Sequence, residues 1–131
     1  MFSLTKKLFT LEEANELLPY VREELSFLQE FKCSFYNLYQ QREQVKKQQP
    51  TDDEELFSLE CRLEFMEMEA QTRITRLISK GIQVKDVDIG LFDFPAIMNG
   101  EEVLLCWRAG ETAITHYHGI HDGFAGRKRI D

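Results

Sequence analysis

LFDFPAIM (residues 91–98), NG (99–100), EEVLLCW (101–107) and, after Ala109-Gly110, TAITHYH (112–118) form the stretch that decides the fold. An Asn-Gly pair between two apolar runs is the strongest short-range signal for a β-hairpin, and it favours a type I′ turn. A second tight turn at Ala109-Gly110 would add a third strand. The sequence therefore predicts a three-stranded antiparallel β-meander within residues 81–118.

The two turns also predict a register. Leu105 should lie opposite Phe94 across the first turn and opposite Ile114 across the second. One face then collects the predicted core: Phe92, Phe94, Ala96, Val103, Leu105, Trp107 and Ile114. Asp93 and Cys106 should be neighbours on the other face, which makes Cys106 a half-buried residue beside a carboxylate. His118 falls on the face opposite Cys106, so the register excludes a Cys–His nucleophilic pair, which needs both groups within hydrogen-bond reach.

Residues 10–80 carry the three-and-four spacing of apolar residues that is typical of amphipathic helices. Capping boxes are predicted at both helix starts, Thr10 with Glu13 and Thr51 with Glu54. Pro19 predicts a short opening helix, followed by a kink or by a restart with the proline in the first turn. The fold class is therefore α+β. A long antiparallel helix hairpin, kinked near Pro19, packs with the meander in one domain (1–131) that ends in a Gly-rich basic tail (119–131).

The second helix carries two apolar faces. Besides its hairpin seam it has a further row on the opposite side, formed by Phe57, Cys61, Phe65 and Met68. Either a second copy of the chain covers this apolar row or the sheet lies along it. A helix of this length outruns a compact domain of this size, so we predict a homodimer through the hairpin.

Composition excludes several classes of protein. Sixteen basic against 23 acidic residues give a net charge of −7, which disfavours nonspecific nucleic-acid binding. The longest apolar run spans residues 103–107, far below the ~18 residues of a membrane helix. Three widely spaced cysteines form no disulfide framework and no paired metal knuckle, so we expect a protein of the reducing cytoplasm.

His116, His118 and His121 are the three histidines, spaced HxHxxH. Two histidines separated by one residue on a strand share a face and could reach one divalent metal ion. Further ligands could come from Glu101 or Glu102, or from the helix carboxylates Glu60, Glu64 and Glu67. The alternative is structural: the histidines cap the edge of the core, and the glutamates form a solvated helix face.

Three segments resemble one bacterial family: LFTLEEANELLP (8–19), GIQVKDVDIGLFDFPA (81–96) with LCWRAGE (105–111), and HYHGIHDGFAGR (116–127). The family is the uncharacterised domain family DUF2203, whose members have sometimes carried a DivIVA-type cell-division label. Its pattern matches Cys106 and His118 but does not include His116 or His121. The resemblance implies a cytosolic bacterial setting and no particular reaction.

The resemblance also points to a polar set in the second half of the chain: Asp86, Asp93, Arg108, Glu111, His118 and Arg127. In one account the set is structural, with Arg108 paired to Glu111 and Arg127 fixing the tail to Asp86 or Asp93. In the other, the set lines a pocket for a small anionic or metal-bound ligand. We therefore expect a dimeric interaction or small-ligand-binding module. The alternative is a small metal-dependent enzyme around His118 and the helix glutamates. A coiled-coil scaffold is a third option, but the heptads are too short for filaments.

Overall fold

The computed structural model describes residues 7–131. Three α-helices come first: α1 (Leu11–Glu16), α2 (Leu18–Lys46) and α3 (Asp53–Ser79). Five strands follow: β1 (Gln83–Asp86), β2 (Leu91–Met98), β3 (Glu101–Arg108), β4 (His116–Gly119) and β5 (Lys128–Arg129). A 3-10 turn, Phe124–Gly126, lies between β4 and β5. The predicted α+β class is confirmed.

The helix starts follow the capping signals in one case and depart from them in the other. The capping box of α1 is present: Glu13 N donates to the Thr10 hydroxyl at 3.0 Å, and Thr10 N donates to the Glu13 carboxylate at 2.9 Å. A separate helix, α2, then begins with Pro19 in its first turn, as predicted. The box predicted at Thr51 is wrong, because Asp52 is the N-cap of α3. Its carboxylate can cap the free N–H groups of the first turn and also favours the positive end of the helix dipole.

The sheet has five antiparallel strands in sequence order, two more than the predicted meander. The additional strands, β1 and β5, are short edge strands with few apolar residues, so they lack the usual sequence signal. The β2–β3 register is confirmed, with Phe94 opposite Leu105 and Asp93 opposite Cys106. Asn99 and Gly100 both have positive φ, 53° and 80°, as a type I′ turn requires.

The predicted β3–β4 register is wrong. Leu105 lies opposite Tyr117 instead of Ile114, a shift of three residues. The chain does turn after Arg108, where Glu111 N donates to the Arg108 carbonyl, but it does not continue as a strand. The Glu111 carbonyl instead accepts from the indole of Trp107 at 2.9 Å, and the new strand starts only at residue 116. Because strand side chains alternate, an odd shift moves every side chain of β4 to the other face.

The face of the sheet that packs on the helices, here called the inner face, carries the main core. All seven predicted core residues are buried in this core, including Phe92, Phe94 and Trp107. Two helix side chains, Asn15 and Arg22, join the helices to the β3–β4 loop. The Asn15 side chain accepts from Ile114 N at 2.8 Å, and Arg22 donates to the Thr112 carbonyl at 2.9 Å.

The far end of the hairpin has its own smaller core, built from Leu38, Val45, Leu59 and Leu63. The sheet does not extend over the apolar row of α3, where Phe57, Phe65 and Met68 are each about two-thirds exposed (69, 66 and 67%). The alternative in which the sheet covers this row is therefore wrong. Within residues 7–131, no helix is long and apolar enough to cross a membrane.

Candidate functional site

The other side of the sheet, here called the outer face, buries three polar side chains. Asp93 on β2, Cys106 on β3 and His118 on β4 are only 2, 0 and 3% exposed. Their ligand-type atoms all lie within 4.8 Å of one another. The shifted β3–β4 register is the cause, since it places Cys106 on the same face as His118. We call these three residues the outer-face trio.

His118 forms hydrogen bonds through both ring nitrogens. Nδ1 lies 2.8 Å from the Gly119 carbonyl, and Nε2 lies 3.0 Å from Oδ2 of Asp93. A carbonyl oxygen only accepts, so Nδ1 carries a proton. A second proton is then shared between Nε2 and Oδ2, as an imidazolium–carboxylate pair or as a neutral pair. In either form the buried pair has no net charge, which limits the cost of burying it.

The second carboxylate oxygen of Asp93, Oδ1, does not take part in these hydrogen bonds. Oδ1 is buried and has no hydrogen-bond partner among residues 7–131. Burial raises the pKa of Asp93, and the nearby His118, Cys106 and Lys85 only partly oppose this shift. A buried oxygen without a partner costs stability, which a bound group could recover.

Cys106 is fully buried, not half-buried as predicted. Burial, and then the negative charge of Asp93, raise the pKa of its thiol to about 11. The thiol is therefore protonated near neutral pH and is a poor nucleophile. The predicted separation of Cys106 from His118 is wrong, but a nucleophilic pair remains unsupported for this different reason.

The tail crosses the outer face and is fixed there by Arg127. Its guanidinium donates to both carboxylate oxygens of Glu111, at 2.7 and 3.3 Å, and lies 3.9 Å from Sγ of Cys106. The predicted clamp thus exists, but its acid is Glu111 and not Asp86 or Asp93. Burial raises the pKa of Glu111, but hydrogen bonds from Arg127 and from Arg108 N outweigh it, so the net shift is downward.

The other members of the predicted polar set lie outside the trio. The carboxylate of Asp86 accepts from the backbone of Asp88 and Ile89, so it shapes the β1–β2 turn. Arg108 meets Glu111 through its backbone N–H at 2.8 Å, and its guanidinium lies over the ring of Phe124. The structure brings together Asp93 with His118, and Glu111 with Arg127, and joins the two pairs through Cys106.

The predicted three-histidine group does not assemble. His121 is exposed in the turn after β4, and Nδ1 of His116 faces the Thr115 hydroxyl at 2.9 Å. Among residues 7–131, the outer-face trio is the only group of three His, Cys, Asp or Glu residues with its ligand atoms this close together. Among the described residues, Glu60, Glu64 and Glu67 do not form such a group with His118.

Two small cavities adjoin the trio. One, of about 230 Å³, is lined by Asp93 and His118 together with Lys85, Asp122 and Phe124. The other, of about 260 Å³, shares His118 and Asp122 and extends toward the Asn99-Gly100 turn. Both are below the usual size of a site for a drug-sized ligand, so they suit an ion or a very small molecule.

Sequence reasoning found Asp93, His118, Glu111 and Arg127 but excluded Cys106 from the site. A correct signal was available in the β2–β3 register, which had already placed Cys106 beside Asp93. The error came from assuming that β4 starts directly after the second turn.

Comparison with known proteins gives a family but no function. Residues 7–130 match the family described as "Uncharacterized conserved protein (DUF2203)". No curated protein and no solved structure matches the chain. Because the match spans nearly all of the sequence, including every residue of the outer-face trio and its clamp, the chain belongs to the DUF2203 family.

Proposed function

We propose that the protein is a homodimeric module that binds a small ligand on the outer face of its sheet. One observation carries the ligand part of the proposal: Asp93 is buried, lines a small cavity and keeps Oδ1 without a hydrogen-bond partner among the described residues. Native proteins rarely leave such an oxygen unsatisfied unless a ligand, an ion or a water molecule completes it. The three free thiols suit the reducing cytoplasm that we propose as its compartment.

The residues that line the cavity also limit the kind of ligand that could bind there. A carboxylate oxygen accepts hydrogen bonds and attracts positive charge, so the ligand should offer a donor group or be a cation. Lys85 and Asp122 at the cavity wall add one charge of each sign. Phe124 closes one side of the cavity, and Arg127 lies over its ring at 4.4 Å.

Native mass spectrometry of protein purified without added metal and without a histidine tag tests this proposal. We expect the wild type to retain a small additional mass that Asp93→Asn loses. Asp88→Asn is the matched control, because Asp88 is an exposed carboxylate outside the cavities that adjoin the trio. A wild-type chain of bare mass, with the same melting temperature before and after dialysis against a chelator, would contradict the proposal.

The dimer part of the proposal rests on the apolar row of α3. Its members Phe57, Cys61, Phe65 and Met68 follow spacings of four, four and three residues, which is the spacing of a helix–helix seam. Three large apolar side chains about two-thirds exposed on one stripe are unusual for a monomer. A second copy offers the same stripe, so a two-fold pairing of the two α3 helices would cover both at once.

Light-scattering mass measurement tests the dimer. We expect the wild type to be dimeric and the double variant Phe57→Glu with Phe65→Glu to be monomeric. A wild type that is monomeric at high micromolar concentration would eliminate this part of the proposal.

The exposed Cys61 gives a second test, because it lies near the middle of the row, where a two-fold axis would pass. Mild oxidation should then link two chains through Cys61. The link should disappear in Cys61→Ser but persist in Cys33→Ser, which changes the other exposed thiol.

A further inference from the structure

We propose that Asp93, Cys106 and His118 bind a thiophilic divalent metal ion, with Zn²⁺ as the best match. This inference names the ligand class of the small-ligand site proposed above and therefore rests on it. Thiolate and imidazole together favour zinc and its transition-metal neighbours over Mg²⁺ and Ca²⁺, which prefer oxygen ligands.

The donor atoms are already grouped. One sulfur, one imidazole nitrogen and one carboxylate oxygen lie within 4.8 Å of one another, on three adjacent strands of one sheet. Zinc bond lengths of about 2.0–2.3 Å place tetrahedral ligands about 3.3–3.8 Å apart. The Nε2–Oδ2 distance of 3.0 Å shows that the ring of His118 and the carboxylate of Asp93 already face each other, and rotation of the carboxylate would direct Oδ1 at an ion bound by Nε2.

An independent observation is the unpartnered oxygen of Asp93. Oδ1 belongs to a side chain that is 98% buried, and no described residue donates to it. A metal ion bound through Oδ1 of Asp93 would supply the missing interaction. It would also replace the Asp93–His118 hydrogen bond with two coordination bonds.

The surroundings of the trio resemble the outer shell of a metal site. The Gly119 carbonyl holds Nδ1 of His118, which leaves Nε2 as the nitrogen directed at Asp93. Metal-binding histidines usually donate their second N–H to a carbonyl or carboxylate in this way. Arg127 directs an N–H at Sγ of Cys106, and a thiolate accepts such a bond much better than a thiol does. Glu111 in turn holds Arg127 in place.

The charges balance when the ion is bound. A thiolate, a carboxylate and a neutral imidazole carry two negative charges, which Zn²⁺ neutralises. Binding forms one Zn–S, one Zn–N and one Zn–O bond, and it releases the thiol proton and the proton shared by Asp93 and His118 to solvent. A zinc ion with three protein ligands keeps a fourth position for water or another small ligand, and the cavity lined by Asp93 and His118 provides room for it.

Titration of chelator-treated protein with Co²⁺, followed by absorption spectroscopy, tests the proposal. We expect the intense charge-transfer band of a cobalt–thiolate bond and the visible bands of a tetrahedral site, both lost on adding Zn²⁺. The double variant Cys33→Ser with Cys61→Ser leaves Cys106 as the only thiol, and both removed cysteines are exposed, so the fold should persist. This variant must keep the charge-transfer band.

Single changes then assign the ligands. Asp93→Asn, Cys106→Ser and His118→Gln should each weaken metal binding by about 100-fold or more, and Arg127→Gln by about 10- to 100-fold, as for outer-shell partners. His121→Gln, at an exposed histidine, should bind normally. Circular dichroism of each variant separates lost binding from lost folding.

Cobalt binding without a thiolate band, or a band that disappears in the Cys33/Cys61 variant, would overturn the proposal. So would wild-type protein that binds neither ion. If that protein still retained a small organic mass dependent on Asp93, the metal would be wrong while the small-ligand function stood.

Discussion

In the sheet, Asp93 and His118 are polar side chains sealed from water, whereas in the hairpin Phe57 and Phe65 are apolar side chains left in it. Folded proteins usually bury apolar side chains and expose polar ones. The sheet departs from this rule by burying polar groups, and the hairpin departs from it by exposing apolar ones. Each reversal costs stability in the isolated chain, through desolvation in the sheet and through wet apolar surface in the hairpin. Natural proteins accept such costs at functional positions, so the comparison supports our proposals of a ligand site in the sheet and an interface on α3.

The largest expected effect tests the cost in the sheet. His118→Ala leaves Asp93 buried without its partner, which should lower the free energy of unfolding by about 3–5 kcal/mol. For a domain of this size the melting temperature should fall on the order of 10 °C. Replacing both residues, Asp93→Leu with His118→Leu, should recover most of this loss, because no unpaired polar group remains. If His118→Ala were as stable as the wild type, burying the polar pair would carry no cost, and the contrast between sheet and hairpin would fail.

The next largest effect concerns the clamp, the Arg127–Glu111 ion pair that fixes the tail beside the trio. Arg127→Gln should cost about 1–3 kcal/mol, less than the loss of a fully buried partner because the Arg127–Glu111 pair is partly exposed. The lowered pKa of Glu111 means that its stabilisation is present above its unfolded pKa and is lost as pH falls through the folded value. Denaturant unfolding should therefore show the wild type and variant converging below about pH 4.5.

Arg129→Gln is the matched control for this clamp, since Arg129 is an exposed arginine in β5, two residues after Arg127. It should change stability by less than about 0.5 kcal/mol. Equal losses at the two arginines would mean that general charge, and not the clamp, holds the tail.

In the hairpin, by contrast, replacing the exposed side chains should hardly change the stability of the single chain. In the monomeric double variant Phe57→Glu with Phe65→Glu, the free energy of unfolding of one chain should change by less than about 0.5 kcal/mol, because both side chains are about two-thirds exposed within the chain. Leu63→Ala, on the buried side of the same helix, should cost about 2–5 kcal/mol. Thermal melts at several protein concentrations complete the test: the wild-type midpoint should rise with concentration, and that of the double variant should not.

The smallest expected effect is on the number of cysteines that react with a thiol reagent. In the native, chelator-treated double variant Phe57→Glu with Phe65→Glu, where no partner copy covers Cys61, a thiol reagent at mildly alkaline pH should modify the exposed Cys33 and Cys61. It should leave Cys106, whose burial raises its pKa to about 11. Denaturant should release the third thiol. A rapid reaction of all three in the native state would mean that the outer face is open to solvent.

The sequence predicts features that are set by local chemistry. The Asn99-Gly100 turn fixes the β2–β3 register because both positions tolerate positive φ, and Thr10 with Glu13 caps α1 through bonds three residues apart. The β3–β4 register depends instead on contacts between distant segments. The carboxylate of Glu111 turns toward Arg127, and its carbonyl accepts a hydrogen bond from Arg22, so the chain leaves the sheet before β4 begins. No short-range pattern records those contacts, and the trio was missed for that reason.

The sequence order of the strands has a consequence for how the chain folds. Every strand pairs with its neighbour in sequence, and the hairpin also closes over a short link, so most contacts join nearby residues. Such low contact order favours rapid folding. The contacts of Asn15 with Ile114 and of Arg22 with Thr112 are different, since they span 99 and 90 residues. We expect the hairpin and the sheet to form early, and the docking of one on the other to be the late, rate-limiting step.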